Sequence, residues 1–474
     1  MAARRGGKPK TMARAMAEEA LVEPQAVPAA PQAVPAALVP APRLYLLHPL
    51  LVGALPAWDA AFARVASLGF DAALLAPVFA PGPSGNIFHL SDPDAPHPIL
   101  EAPGDAFATL ETLAGKAKAA GLALHLDIVL DRVAEGGAMQ ARHPEWFATE
   151  SLTAPPDPRQ APPERGTAQA RWDDPAVAEA LGAWWEERLR RFAAAGIAGF
   201  RCDLPTRVPN AVWQRLTAAL PQARFLAWTA GIPASDLPAL AGAGFAAVFD
   251  SLGWWDVEGA WLVEEAARLA ALGPVISTVE APFGPRLAAR DADAWTAERA
   301  ARRHLDVAAG IGAGLLVPMG FEYGARRPLD AARDRPGDWD WLRRQAGFDL
   351  SDGLRAANAA IAARSLSRAE LRPLSGPGAP VTALLRAAAA DVRSATAATL
   401  VLANPDLRRG ASVALASLLP AAGGGFTRFR PVLPATGEVL GPTATVQLAP
   451  GEVRLFEAEA PRPILAAAPA ADAA

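Results

Sequence analysis

The chain is 474 residues long, with 51% hydrophobic residues, 20% charged residues and a formal net charge of −4. That length can bury a large core and suggests more than one domain. The charge balance offers nucleic acid no basic stripe, no uninterrupted apolar run is long enough to span a membrane, and the single Cys202 excludes an intrachain disulfide.

Residues 1 to about 42 open with Arg4, Arg5, Lys8 and Lys10 and continue as an Ala/Pro/Val tract, Val27-Pro28-Ala29-Ala30-Pro31. Prolines interrupt every short apolar stretch, so no secretory core forms. The segment reads as a disordered arm, and a cytoplasmic location is the default. From about residue 43, short apolar strands are expected at Leu44–Leu47, Ala72–Ala76, Leu122–Leu126, Ile197–Arg201, Phe225–Ala227, Ala247–Phe249, Val275–Val279 and Leu315–Pro318. Helical stretches closing on Gly69, Gly121, Gly196, Gly244, Gly273 and Gly310 precede six of them. Glycine past a helix end takes a left-handed conformation that redirects the chain. Strands alternating with helices pair in parallel through crossovers, and eight such units close into a (β/α)₈ TIM barrel over residues 43–370.

One helix carries all the local signals: Asp174 caps it, Pro175 takes its first turn, and Val177, Leu181, Trp184, Trp185, Leu189 and Phe192 trace one face. Its tryptophans read as packing against the barrel. The connection after the third strand, residues 134–173, is long and rich in Pro, Arg and Gly, including Ala154-Pro155-Pro156-Asp157-Pro158. Long loops at the C-terminal mouth of a barrel shape access to it. Residues 371–460 change to short alternating strands such as Ala398–Ala403, Arg428–Leu433 and Ala444–Leu448. They read as a C-terminal all-β sandwich domain, with a boundary near Leu374–Pro380 and a disordered tail at 461–474.

The run Gly199-Phe200-Arg201-Cys202-Asp203 opens a strand onto an arginine and an aspartate two residues apart. Side chains at i and i+2 share a face, so the Arg201 guanidinium is expected beside the Asp203 carboxylate, favouring its ionised form. An anionic carboxylate at a strand end suits a glycosidic-bond nucleophile. Cys202 reads as a small buried hydrophobe in a reducing compartment. No His/Cys/Asp grouping has metal-ligand spacing and no Gly-rich run suits a phosphate, so neither a metal nor a cofactor is expected.

The barrel, the long insertion, the run from Phe200 through Asp203 to Val208-Pro209, and Pro318-Met319-Gly320-Phe321-Glu322-Tyr323-Gly324 together resemble the alpha-amylase family (glycoside hydrolase family 13) over most of residues 43–460. The resemblance is nearest to the bacterial glucan maltosyltransferase-like branch. It implies an α-glucan or maltooligosaccharide ligand, Asp203 in the nucleophile position and Arg201 orienting it. It also marks departures. Trp228 stands where the family has its general-acid glutamate, and Pro282 and Phe283 stand where it has a His-Asp pair that clamps sugar hydroxyls. Asp131-Arg132 replaces an Asn-His pair, exchanging a sugar-contacting imidazole for a guanidinium and weakening any expectation of the family's calcium site.

General acid catalysis alone is worth roughly 10²–10⁴ in rate. Losing it together with a hydroxyl clamp leaves little hydrolysis even with Asp203 in place. The expectation is therefore a glucan-binding or regulatory barrel with absent or strongly weakened catalysis, with another glucan-metabolising enzyme as a candidate partner. Trp228 and Phe283 would offer aromatic stacking at the mouth, and Asp127 and His89 further substrate contacts. The alternative is an active retaining α-glucan hydrolase or maltosyl/glycosyltransferase, using Asp203 as nucleophile and Glu280 as a substitute acid. Strand alternation points Glu280 to the opposite face, toward a salt bridge with Arg286. Asp250 reads as a loop or cap residue and His125 as part of the barrel wall.

Overall fold

Eight strands form a closed parallel barrel in this computed structural model, which describes residues 40–149, 165–364, 370–387, 397–423 and 425–460. The N-terminal arm up to residue 39, the Ala154–Pro158 run and the tail from 461 lie outside the described residues. In chain order the barrel strands are Arg43–Leu47 (β1), Ala72–Leu75 (β2), Ala123–Ile128 (β3), Ile197–Cys202 (β4), Arg224–Ala227 (β5), Ala247–Phe249 (β6), Val275–Thr278 (β7) and Gly314–Pro318 (β8). Each pairs with its neighbours in sequence, and β8 closes on β1. Such strands must be apolar on both faces, because helices cover the outside and side chains fill the inside. Every residue of β2, β6 and β8 is buried.

Four of the six expected helix-ending glycines, Gly69, Gly121, Gly196 and Gly244, have φ between +79° and +104° and turn the chain into the next strand. The other two differ. Gly273 makes its turn without a positive φ, and Gly310 lies inside the helix Ala294–Ile311. A Cβ on Gly310 would stand 2.6 Å from Val401 Cγ2 and 2.8 Å from Leu455 Cδ2, so that glycine lets the helix lie close against the C-terminal sheet. The helix Pro175–Ala194 follows its sequence signals: Asp174 accepts from the Ala176 and Val177 amides, while Val177, Leu181, Trp185, Leu189 and Phe192 are buried. Trp184 is half-buried edge-to-face against Trp185 at 4.9 Å, so both indoles serve packing.

After β3, the strands Arg132–Ala134, Thr167–Ala170 and Phe147–Ala148 form a small antiparallel sheet beside the mouth. The C-terminal region holds a five-stranded antiparallel sheet, ordered Glu370–Pro373, Thr382–Ala387, Ala397–Ala403, Val453–Glu459, Arg428–Leu433. A second sheet pairs Ala411–Ala414 with Thr445–Leu448. One helix, Leu415–Ala422, interrupts this otherwise β region and buries Leu415, Leu418 and Ala422 in its core. Eight residues show too little period to be distinguished from a strand. Among the described residues no helix is long and apolar enough to cross a membrane.

Candidate active site

Register between neighbouring strands decides which charges meet at the barrel's C-terminal mouth. Parallel pairing sets Asp127 of β3 directly beside Arg201 of β4. Arg201 Nε and Nη2 donate to the two Asp127 oxygens at 2.5 and 2.6 Å, with both residues at most 4% exposed. The pairing of Arg201 with Asp203 expected from alternation is therefore corrected: the guanidinium engages Asp127. Strand β4 ends at Cys202, so Asp203 lies beyond the stretch over which alternation holds. Burial pushes the Asp127 carboxyl up to about 6, against the opposing effect of Arg201. Asp127, expected to touch substrate, is closed off by its partner.

Asp203 is held from a different direction. Its amide donates to Ile128 O at 3.1 Å, and its carboxylate accepts from Arg132 Nη2 at 3.0 Å. Arg132 Nη1 also donates to Asp131 at 2.7 Å, and Arg207 Nη1 approaches the other Asp131 oxygen at 3.4 Å. The Asp203 side chain keeps 21% exposure, against 2% for Asp131. Burial raises the Asp131 carboxyl, opposed first by Arg132. Arg132 thus ties Asp203 to Asp131, a contact that the Asp131-Arg132 dipeptide signals only once the fold brings β4 alongside.

Two aromatic groups occupy the mouth. The Trp228 amide donates to Cys202 O at 3.1 Å, its half-buried ring lies 4.9 Å from the Arg201 guanidinium, and Phe249 packs at 5.3 Å. Phe283, also half-buried, meets His48 and Phe88 edge-to-face at 5.2 and 4.9 Å. His48, immediately after β1, has its Nε2 3.0 Å from Asp330 O, and burial drops its pKa to about 4. His48 and Phe88 escaped the sequence reading, since neither follows a charged or glycine signal. His89 is 2% exposed, with Nδ1 3.1 Å from Ser84 Oγ, so its ring lies inside the loop after β2.

Two further acids are structural in their surroundings. Glu280 is 2% exposed, 2.8 Å from Arg286 Nη2, and accepts from the Leu287 amide at 2.8 Å. This is the expected salt bridge, and burial raises the carboxyl above its ordinary range. Asp250 accepts from Ser277 Oγ, the Thr278 amide and the Leu252 amide at 2.6, 2.9 and 3.2 Å, and burial pushes it up to about 7. His125 is buried in β3 with its pKa down to about 3, and Cys202 is a buried free thiol. Among the described residues no group of three His, Cys, Asp or Glu side chains could hold a metal ion. Of the acids described here, Asp203 alone is partly open, while Asp127, Asp131, Asp250 and Glu280 are at most 2% exposed.

No family model matches the chain. The alpha-1,4-glucan:maltose-1-phosphate maltosyltransferase of Burkholderia pseudomallei (strain K96243) is 39% identical to it over 441 residues, covering 91% of this chain and 39% of that protein. The chain thus spans about two fifths of that relative's length. Among solved structures, the alpha-amylase of Geobacillus thermoleovorans superposes with a TM-score of 0.65 at 15% identity, covering 88% of this chain and 98% of that one. The alpha-amylase of Lactobacillus plantarum gives 0.66 at 15% identity, with the same coverages. Those structures share the fold of barrel and β domain. The chain is thus similar to that maltosyltransferase over nine tenths of its own length, and it has the barrel and β-domain fold of the alpha-amylases.

Proposed function

We propose that this protein acts in α-glucan metabolism as a glucan-binding barrel whose own glycosidic chemistry is absent or strongly weakened, working beside a glucan-metabolising enzyme. One observation carries the reading. Of the acids discussed at the mouth, Asp203 alone is partly open, whereas Asp127, Asp131, Asp250 and Glu280 are at most 2% exposed and each is bonded to protein groups. Retaining chemistry needs a second carboxyl about 5 Å from the nucleophile and free to give a proton to the leaving oxygen. Trp228, beside Arg201, supplies a ring and no exchangeable acid.

The relative's length supports the companion role. Some three fifths of the named maltosyltransferase lie outside the matched region, a stretch longer than this whole chain. The transfer that its name describes can reside there, with the matched barrel serving to hold glucan. Half-buried Trp228 and Phe283 then provide the stacking surface, and the free thiol at Cys202 fits the cytoplasm.

Calorimetric titration with maltoheptaose tests the binding claim. Wild-type protein is expected to bind, and Trp228→Ala to weaken that affinity about tenfold or more, equivalent to about 1.4 kcal/mol. Undiminished affinity in the variant would move the site elsewhere, and no affinity of the wild type for any glucan would leave a scaffold.

A further inference from the structure

We propose that Arg132 is a latch on Asp203: it holds the carboxylate in the nucleophile position engaged with the insertion sheet, and removing it re-arms that carboxylate. The inference rests on the reading of Asp203 as the family's nucleophile position. It adds that the loss of chemistry here has a second cause, independent of the missing acid.

The latch is built from both sides. Arg132 begins the insertion strand Arg132–Ala134, pairs in register with Gln169, and is therefore anchored by a sheet that does not belong to the barrel. Its two terminal nitrogens reach different carboxylates, Asp131 at 2.7 Å and Asp203 at 3.0 Å, and its side chain is only 12% exposed. Asp131 is itself seated by Arg207, from the short 3₁₀ turn Pro205–Arg207 that follows Asp203. The joint between them is strained. Leu204 has φ +40°, a left-handed conformation uncommon for a branched side chain, and Pro205 bars it from the ordinary helical region. Trp213 Nε1 fixes the far side by donating to Pro205 O at 2.9 Å. Backbone held in such a conformation stores strain that the surrounding contacts must over-determine. The guanidinium stabilises the carboxylate in its resting state and engages its Oδ2 oxygen.

A glycosyl fluoride isolates this effect. Asp203 would form a bond to the anomeric carbon while fluoride leaves with the bonding pair, so no proton is needed and the absent acid plays no part. The experiment compares the rate at which a 5-fluoro glycosyl fluoride labels Asp203, followed by peptide mass spectrometry, in wild type, Arg132→Ala, Arg132→Gln and Arg132→Lys. Arg132→Gln keeps an amide donor toward Asp131 without the charge. Both uncharged variants are expected to label about tenfold faster than wild type or more, a barrier change of about 1.4 kcal/mol. Arg132→Lys should stay near the wild-type rate, a distinction that a merely structural role would not produce. Either uncharged variant with a native circular dichroism spectrum that labels no faster than wild type would overturn the latch. Release of sugar from maltooligosaccharide by the wild type would instead overturn the proposed function, and leaves the labelling comparison to stand by itself.

Discussion

His125 and Asp127 sit two residues apart on β3, and the barrel interior perturbs their protonation in opposite ways. Burial lowers the imidazole to about 3 from 6.5 and raises the carboxyl to about 6 from 3.8. A neutral buried imidazole contributes stability that is present above pH 6.5 and is lost as pH falls toward 3, because the unfolded chain takes up that proton first. A buried carboxyl with a raised pKa contributes stability that is complete below about 3.8 and is lost as pH rises through about 6. Between those limits the two oppose each other. His125→Leu removes one side of the balance, so its stability relative to wild type is expected to rise steadily as pH drops from 6.5 toward 3. Urea denaturation at several pH values would show this, and a difference independent of pH would contradict it. The neighbouring Arg201–Asp127 pair follows the same logic of burial: two charges with almost no solvent persist because each satisfies the other.

Strand β4 shows how a local signal becomes a packed element. Its Gly199 is required by close approach, since a Cβ there would stand 2.5 Å from Arg224 O and 2.7 Å from the His125 ring. Neither neighbour yields easily, one being backbone of the adjoining strand. Gly199→Ala is therefore expected to destabilise by about 1–3 kcal/mol or more, measured by thermal or urea unfolding; a change within about 0.5 kcal/mol would show that the strand shifts at little cost. The eight strands, the Asp174 cap and the Glu280–Arg286 pair were legible because each is written in a short stretch of chain. The partner of Arg201 was not, because Asp127 lies 74 residues away and meets it only through interstrand register. The insertion sheet and the Arg132–Asp203 bond were hidden for the same reason: closure of the barrel, and no local spacing, brings residues 71 apart into contact. The helix Leu415–Ala422 was missed for want of length.

On the scale of the whole molecule, the chain shares the packed architecture of the alpha-amylase structures on which it superposes. The barrel closes, the β domain builds its own core, and Gly310 lets the two lie tightly together through Val401 and Leu455. At the mouth, Trp228 and Phe283 present rings, Arg132 ties down Asp203, and Glu280 is sealed against Arg286. In the proposed function these side chains leave little means to pass a proton or clamp a hydroxyl while they keep apolar surface for a sugar face. The most direct measurement follows the anomeric proton signals of maltoheptaose, and of maltose 1-phosphate as donor, during prolonged incubation with the wild-type protein. We expect no change beyond the spontaneous rate. New reducing ends or a transferred maltosyl unit that vanish with Asp203→Asn would show a working catalyst and contradict the account.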